Sequence, residues 1–224
     1  MSNFFSLPRE LRDQIYELCL LHPEPVHPRT FYWERRDFTP GLFLASKAVY
    51  LEASSFFYSR NSFSLTTSGP EDVASFLRRT GGNANYIRHV IVFFPLIQLE
   101  LDRGNIVFED ACVSILKNLQ SHCPNLSKLT TSRDDTYGFE LCLVYRNQPK
   151  LVTEALKAVD TRFRAIPSLQ EIVAETYDSY PNDHIRSTME SQGWKIMTAA
   201  YLEEDEFDSG WCGFEDGHYD DDKS

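Results

Sequence analysis

The stretch CPNLSKLTT (residues 123–131) returns in altered letters as IPSLQEIVA (residues 166–174). Each reads as the end of a helix, then Pro-x-Leu-x-x, then an apolar strand. Leu126 and Leu169 stand 43 residues apart, and the strand near Ile87 lies 39 residues before Leu126. A helix-plus-strand unit recurring at such an interval is the mark of a stacked architecture. Each strand lies beside the next in a parallel sheet, and each helix covers one side of it. A leucine-rich-type stack and a compact α/β sheet both satisfy this pattern.

Working outward, the alternation of helix and strand runs through residues 67–202. PEDVASFLRRTGG (70–82) reads as a helix closed by Gly81 as a left-handed cap, and YIRHVIVFF (86–94) as a strand. EDACVSILKNLQSHC (109–123) and KLVTEALKAVDTRFRAI (150–166) carry the helical period. LSKLTTS (126–132), GFELCLVYR (138–146) and LQEIVAET (169–176) read as strands. NDHIRSTMESQG (182–193) and WKIMTAAYL (194–202) add a last helix and strand.

Ahead of this body, residues 1–66 have a different grammar. In FSLPRELRDQIYELCLL (5–21), Leu7, Leu11, Ile15 and Leu18 recur at helical spacing and make one apolar stripe. Ser6 is placed to cap the helix, Pro8 suits its first turn, and Phe4 and Phe5 are placed to staple its entry. Tyr16 and Cys19 widen the stripe, so the helix packs on more than one side. Pro23, Pro25, Pro28 and Pro40 then break regular helix across 22–41. Phe31, Tyr32, Trp33 and Phe38 give that insert the look of a short strand or hairpin. Helix resumes from residue 41, with Leu42, Ala45, Val49, Ala53, Phe56 and Phe57 in period, and stops near Asn61. A short strand follows at Phe63 and Leu65.

The totals exclude several function classes. The 224 residues carry a net charge of −11, of which residues 203–224 hold ten carboxylates and one lysine. The body is therefore nearly neutral, without the clustered cations that nucleic acid requires. The tail interleaves carboxylates with Phe207, Trp211, Phe214 and Tyr219, and self-repulsion predicts disorder for it. Five cysteines with no C-x-x-C and no regular framework predict reduced thiols in a cytosolic or nuclear protein. No apolar run is long enough to span a membrane.

No recognisable catalytic or cofactor motif stands in the sequence, and a small-molecule enzyme, which would need a deep pocket lined by convergent polar or titratable groups, is the third reading. His122–Cys123 has no third ligand nearby, and Gly81–Gly82 lacks the Lys-Ser or Lys-Thr of a phosphate loop. No G-x-S-x-G is present. The expectation is a non-enzymatic chain with no catalytic residue, no cofactor and no metal.

SLPRELRDQIYELCL resembles the first helix of an F-box, and LFLASKAVYLEASSFFYSRNSFSL resembles its later helix and the following strand. The pair is similar to F-box-like proteins of filamentous fungi, in which LPRELRDQIYE is followed by a helix ending in EA…FY…N.F. The resemblance covers residues 4–66, and more weakly the body as a leucine-rich stack. It implies an α+β or α/β fold in which an F-box-like helical module packs on irregular helix–strand repeats. It also implies a substrate receptor that links a target protein to a Skp1-type adaptor of a cullin ubiquitin ligase. Leu7 and Pro8 would meet the adaptor, while Leu11, Ile15 and Leu18 would divide between adaptor and the module's own core. The insert at 22–41 departs from the family's short link at that place. A stand-alone scaffold, with the stripe buried by the chain's own body, is the alternative.

Overall fold

The repeat read from the sequence is the hydrogen-bond register of the sheet. In the computed structural model, His89 faces Lys128 and Lys128 faces Glu171, offsets of 39 and 43 residues. The same offsets relate the turns that lead into these strands. Ile87 N–H donates to Ala84 C=O, Leu126 N–H to Cys123 C=O and Leu169 N–H to Ile166 C=O, at 3.2, 3.1 and 3.1 Å. The stacked turns then bond to one another. Ser168 Oγ donates to Leu126 C=O at 2.7 Å and Asn125 Nδ2 to Asn85 C=O at 3.0 Å.

The structure describes residues 4–28, 41–95, 97–99, 106–133, 149–177 and 181–199. Among them are seven α-helices: α1 (Arg9–Leu20), α2 (Gly41–Ala45), α3 (Lys47–Arg60), α4 (Pro70–Thr80), α5 (Asp110–His122), α6 (Pro149–Arg164) and α7 (Asp183–Ser191). The strands are β1 (Ser62–Ser64), β2 (His89–Val92), β3 (Ile97–Leu99), β4 (Ile106–Phe108), β5 (Lys128–Thr131), β6 (Glu171–Tyr177) and β7 (Lys195–Ala199). Five of them form one sheet in the order β1-β2-β5-β6-β7, every pair parallel, and β3 and β4 form a separate antiparallel hairpin.

Because every strand of the five lies beside its successor, right-handed crossovers place α4, α5, α6 and α7 on the same side. Burial agrees. Phe63, Val90, Leu129 and Ile172 share one register row and belong to the same core as Val73, Leu77, Ile115, Leu119, Leu156, Val159, Ile185 and Met189 from those helices. Ile91 and Val173, of opposite parity on their strands, are buried but lie outside that core. The arrangement is a singly wound order, each strand beside its successor, rather than a doubly wound sheet. It is a mixed helix–strand fold.

Three local expectations are corrected. Ser6 does not cap the first helix: it ends a 3-10 turn at Phe4–Ser6, and Pro8 (φ −52°, ψ 153°) holds the cap position with no side-chain bond. The extended backbone at Pro8 delays the helix by two residues beyond the start a Ser6 cap would set. The helix beginning at residue 41 is two helices, because Ser46 is extended and its Oγ accepts from Val49 N–H at 3.2 Å, starting α3 afresh. Gly81 follows α4 with φ +57° but ψ −133°, outside the left-handed helical well, in a conformation only glycine adopts readily. The chain then tightens into a 3-10 segment at Gly81–Tyr86.

The insert contributes one parallel bridge, Val26 to Phe63, which extends the sheet beyond β1: Val26 N–H donates to Ser62 C=O, and Val26 C=O accepts from Ser64 N–H. The rest of the expected strand or hairpin at 29–40, the strand at 138–146 and the tail at 203–224 lie outside the described residues. Cys123 sits fully buried in the stack, where burial pushes its thiol up to about 12 and keeps it protonated.

Candidate partner-binding surfaces

The helix α1 is held to α3 by polar groups. Arg12 donates to both oxygens of Glu52, Nε to Oε2 at 2.9 Å and Nη2 to Oε1 at 2.8 Å, and its Nη1 reaches Leu7 C=O at 2.7 Å. This is the two-pronged geometry that a guanidinium makes with a carboxylate. Tyr16 OH donates to Glu52 Oε2 at 3.2 Å, and Arg9 Nη1 lies 3.1 Å from Oε1. Arg12 holds the Glu52 carboxyl below its ordinary range, and burial followed by the Glu52 charge pushes the Tyr16 phenol up to about 12. Phe5 lies under the Arg12 guanidinium and Phe4 packs edge-on against Tyr16, so both phenylalanines fix the entry of α1.

A second tie closes the far end. Asn61, buried just past α3, accepts from His22 N–H at 2.8 Å and donates to Leu20 C=O at 2.9 Å and Phe57 C=O at 3.0 Å. The two motifs that carried the family resemblance therefore answer each other. Arg12 and Tyr16 of the first meet Glu52 of the second, and Leu20 meets Asn61. Ala53, Phe57 and Phe63 of the second motif are core.

This clamp decides which way the apolar stripe points. The inward side of α1 carries Tyr16 and Leu20, both fully buried. At roughly 100° per residue, Leu11 and Leu18 fall about 140–160° around the helix from Tyr16. They point outward and are 44% and 85% exposed. Pro8 is exposed, while Leu7 and Ile15 are half-buried. The stripe is thus divided: Leu11, Leu18 and Pro8 face solvent, and Leu7 and Ile15 stand at its margin.

Exposure of large apolar side chains concentrates in this module. Leu21, Leu44, Tyr50 and Leu51 join Leu11 and Leu18, with Leu44 86% exposed, whereas the body contributes Phe93, Val107 and Met197. The periodicity named α1 but not Leu44 and Leu51, which fall in segments whose apolar letters occur on every side. Exposed large apolar side chains gathered on one part of a fold are where interaction surfaces are found.

The face of the sheet away from its helices holds a second candidate surface, exposed at Phe93, Lys195 and Met197, while Ser64, Ile91, Thr130 and Val173 of its middle row are buried. One row runs Ser62, His89, Lys128, Glu171, and the next Ser64, Ile91, Thr130, Val173, Lys195. Lys195 Nζ meets Glu171 Oε1 at 2.6 Å and holds that carboxyl below its ordinary range. His89 Nε2 lies 2.8 Å from Thr130 Oγ1. Burial, aided by the charge of Lys128, depresses the His89 imidazole to about 4, so it is neutral at pH 7. Glu175 is raised by burial, against the pull of Arg133, which itself lies over the Tyr177 ring. Nothing in this row has the paired acid, base and nucleophile of a reaction centre. Among the described residues no group of three His, Cys, Asp or Glu side chains is placed to hold a metal, and no helix is long and apolar enough to cross a membrane.

Comparison of the chain with family models, with curated proteins and with solved structures returns no match.

Proposed function

We propose that this chain is a non-enzymatic interaction protein, an F-box-like substrate receptor that uses its N-terminal helices to bind a Skp1-type adaptor and its α/β stack to hold a target. The observation that carries the reading is the outward side of α1. Leu11 and Leu18 are at least two-fifths exposed on a helix fixed to α3 by Arg12, Glu52 and Asn61. A rigid helix presenting leucines to water is what an apolar groove on a partner recognises. Pro8 extends that side, and Leu7 and Ile15 flank it.

The test is co-elution of the chain with a fungal Skp1-type adaptor at micromolar concentration on gel filtration. The wild type is expected to co-elute. A variant carrying Leu11→Asp and Leu18→Asp, with an unchanged circular dichroism spectrum, is expected to elute alone. Separate elution of the wild type removes the ligase reading.

One observation favours the second reading, a stand-alone scaffold. Tyr16, Leu20, Val49 and Phe57 belong to the same core as the stack, so the module also serves as the amino-terminal cap of the repeats. In that case the wild type elutes alone, and Leu11→Asp and Leu18→Asp leave every interaction of the protein unchanged.

A further inference from the structure

The side of the sheet away from α4, α5, α6 and α7 carries charged side chains and exposed apolar ones. We propose that the acidic, aromatic segment 203–224 docks in cis on this face, its carboxylates over Lys128 and Lys195 and its rings over Phe93 and Met197. The inference stands apart from adaptor binding, which concerns the other end of the molecule.

Four observations lead to it. First, charge: Lys128 is half-buried in the row between His89 and Glu171, and among the described residues its ammonium has no hydrogen bond or ion pair of its own, while its backbone N–H donates to Arg88 C=O. Lys195 is largely exposed although it also meets Glu171, and Arg133 adds a third cation near Glu175. Among the described residues, the carboxylates on the face are Glu171, engaged by Lys195, and Glu175, whose charge burial disfavours. Residues 203–224, of opposite sign, carry a net charge of −9, while the rest of the chain carries only −2. Opposite charge of this kind steers a flexible segment to a surface.

Second, apolar area: Met197 is 52% exposed and Phe93 37% exposed, two of the three large apolar side chains that the described residues of the body leave open to solvent. Both share the parity of the charged row. Third, composition: Phe207, Trp211, Phe214 and Tyr219 are each followed or preceded within two residues by a carboxylate or by Gly and Ser. An aromatic ring beside a carboxylate suits a face that offers an apolar side chain beside a lysine.

Fourth, reach: the chain leaves the sheet at Ala199, the last residue of the edge strand that bears Met197. Phe207 follows eight residues later, a span of up to about 26 Å. Three strand spacings separate β7 from β2, roughly 14 Å. The segment reaches Phe93 without strain, and tethering at this length gives an effective concentration on the order of millimolar. Individually weak contacts are enough under that condition. The docked segment would compete with any external protein for the face, which makes it a built-in regulator of target binding.

Zero-length carbodiimide coupling of the intact chain, followed by peptide mapping, reads this contact directly. The Lys195–Glu171 link is expected in every sample and reports the folded sheet. Lys128 and Lys195 are expected to couple to carboxylates of 203–224 about fivefold more than do Lys47, Lys117, Lys150 and Lys157 on the helices. That excess should vanish in molar salt and, in a Phe93→Ser, Met197→Ser variant, fall toward the helix lysines. Even coupling across all lysines overturns the proposal, as does coupling of the segment only between molecules, recognised by its loss on dilution.

Discussion

Leu129 and Leu18 both sit at positions of regular apolar spacing, and the structure treats them in opposite ways. Leu129 is fully buried in the row Phe63–Val90–Leu129–Ile172, one layer of the stack. Leu18 is 85% exposed on a helix whose buried side is Tyr16 and Leu20. In the stack the regularly spaced apolar letters hold the chain together. In the N-terminal module the order is inverted: Arg12, Glu52 and Asn61 hold the helices in place while leucines face water. Periodicity reports that a side chain has an apolar destination; it does not say whether that destination lies in the same chain.

Truncation separates the two cases most sharply. Leu129→Ala is expected to cost about 3 kcal/mol in urea unfolding, the lost transfer energy plus a cavity in a packed layer. Leu18→Ala is expected to stay within about 0.5 kcal/mol, as for other exposed positions. Equal losses would mean that Leu18 has a buried partner in the chain after all, and the contrast between module and stack would fail.

How far the sequence reveals the fold follows from the same contrast. The stack was legible because a repeat is a local pattern written more than once. The offsets between Ile87, Leu126 and Leu169 became the register itself, and helices and strands from 70 to 199 fall within a few residues of expectation wherever both are described. The β3–β4 hairpin was not legible, because its strands are three residues each and have no counterpart in the other repeats. The break at Ser46 was hidden because apolar period continues across it, although a serine ahead of a helical run is a recognisable cap signal. The direction of α1 was also hidden. It depends on Arg12 meeting Glu52 and Leu20 meeting Asn61, pairs about 40 residues apart that no periodicity announces. Their letters were present in the family motif; their pairing was not.

Asn61 tests whether polar ties, rather than apolar contact, hold the module. Asn61→Ala removes three hydrogen bonds, to His22 N–H, Leu20 C=O and Phe57 C=O, from a site that is 3% exposed. The expected loss is about 2 kcal/mol, since buried polar groups that lose a partner keep their desolvation cost. Hydrogen exchange should show the loss first at the carboxyl end of α1. If α1 stays as protected as in the wild type, apolar packing by Tyr16 and Leu20 suffices and the inverted order described above is wrong.

The smallest expected effect is the most specific, because it depends on charge alone. Glu52→Gln keeps the shape of the side chain and removes its charge, with a loss at pH 7 of under about 1 kcal/mol for a pair this close to solvent. The sign of its pH dependence is fixed. The Glu52 carboxyl is depressed in the folded chain, chiefly by Arg12, so its contribution is present above the unfolded value and fades as pH falls through the folded one. Thermal unfolding of wild type and Glu52→Gln should therefore differ at pH 7 and converge in strong acid. The stack behaves differently over a higher range. His89, depressed to about 4, resists protonation that the unfolded chain accepts near 6.5, so both proteins lose stability together between those values. A difference between the two proteins that changes between pH 6.5 and 5, where Glu52 is still ionised, would assign the charge effect to some group other than the Arg12–Glu52 pair and leave the clamp without its electrostatic part.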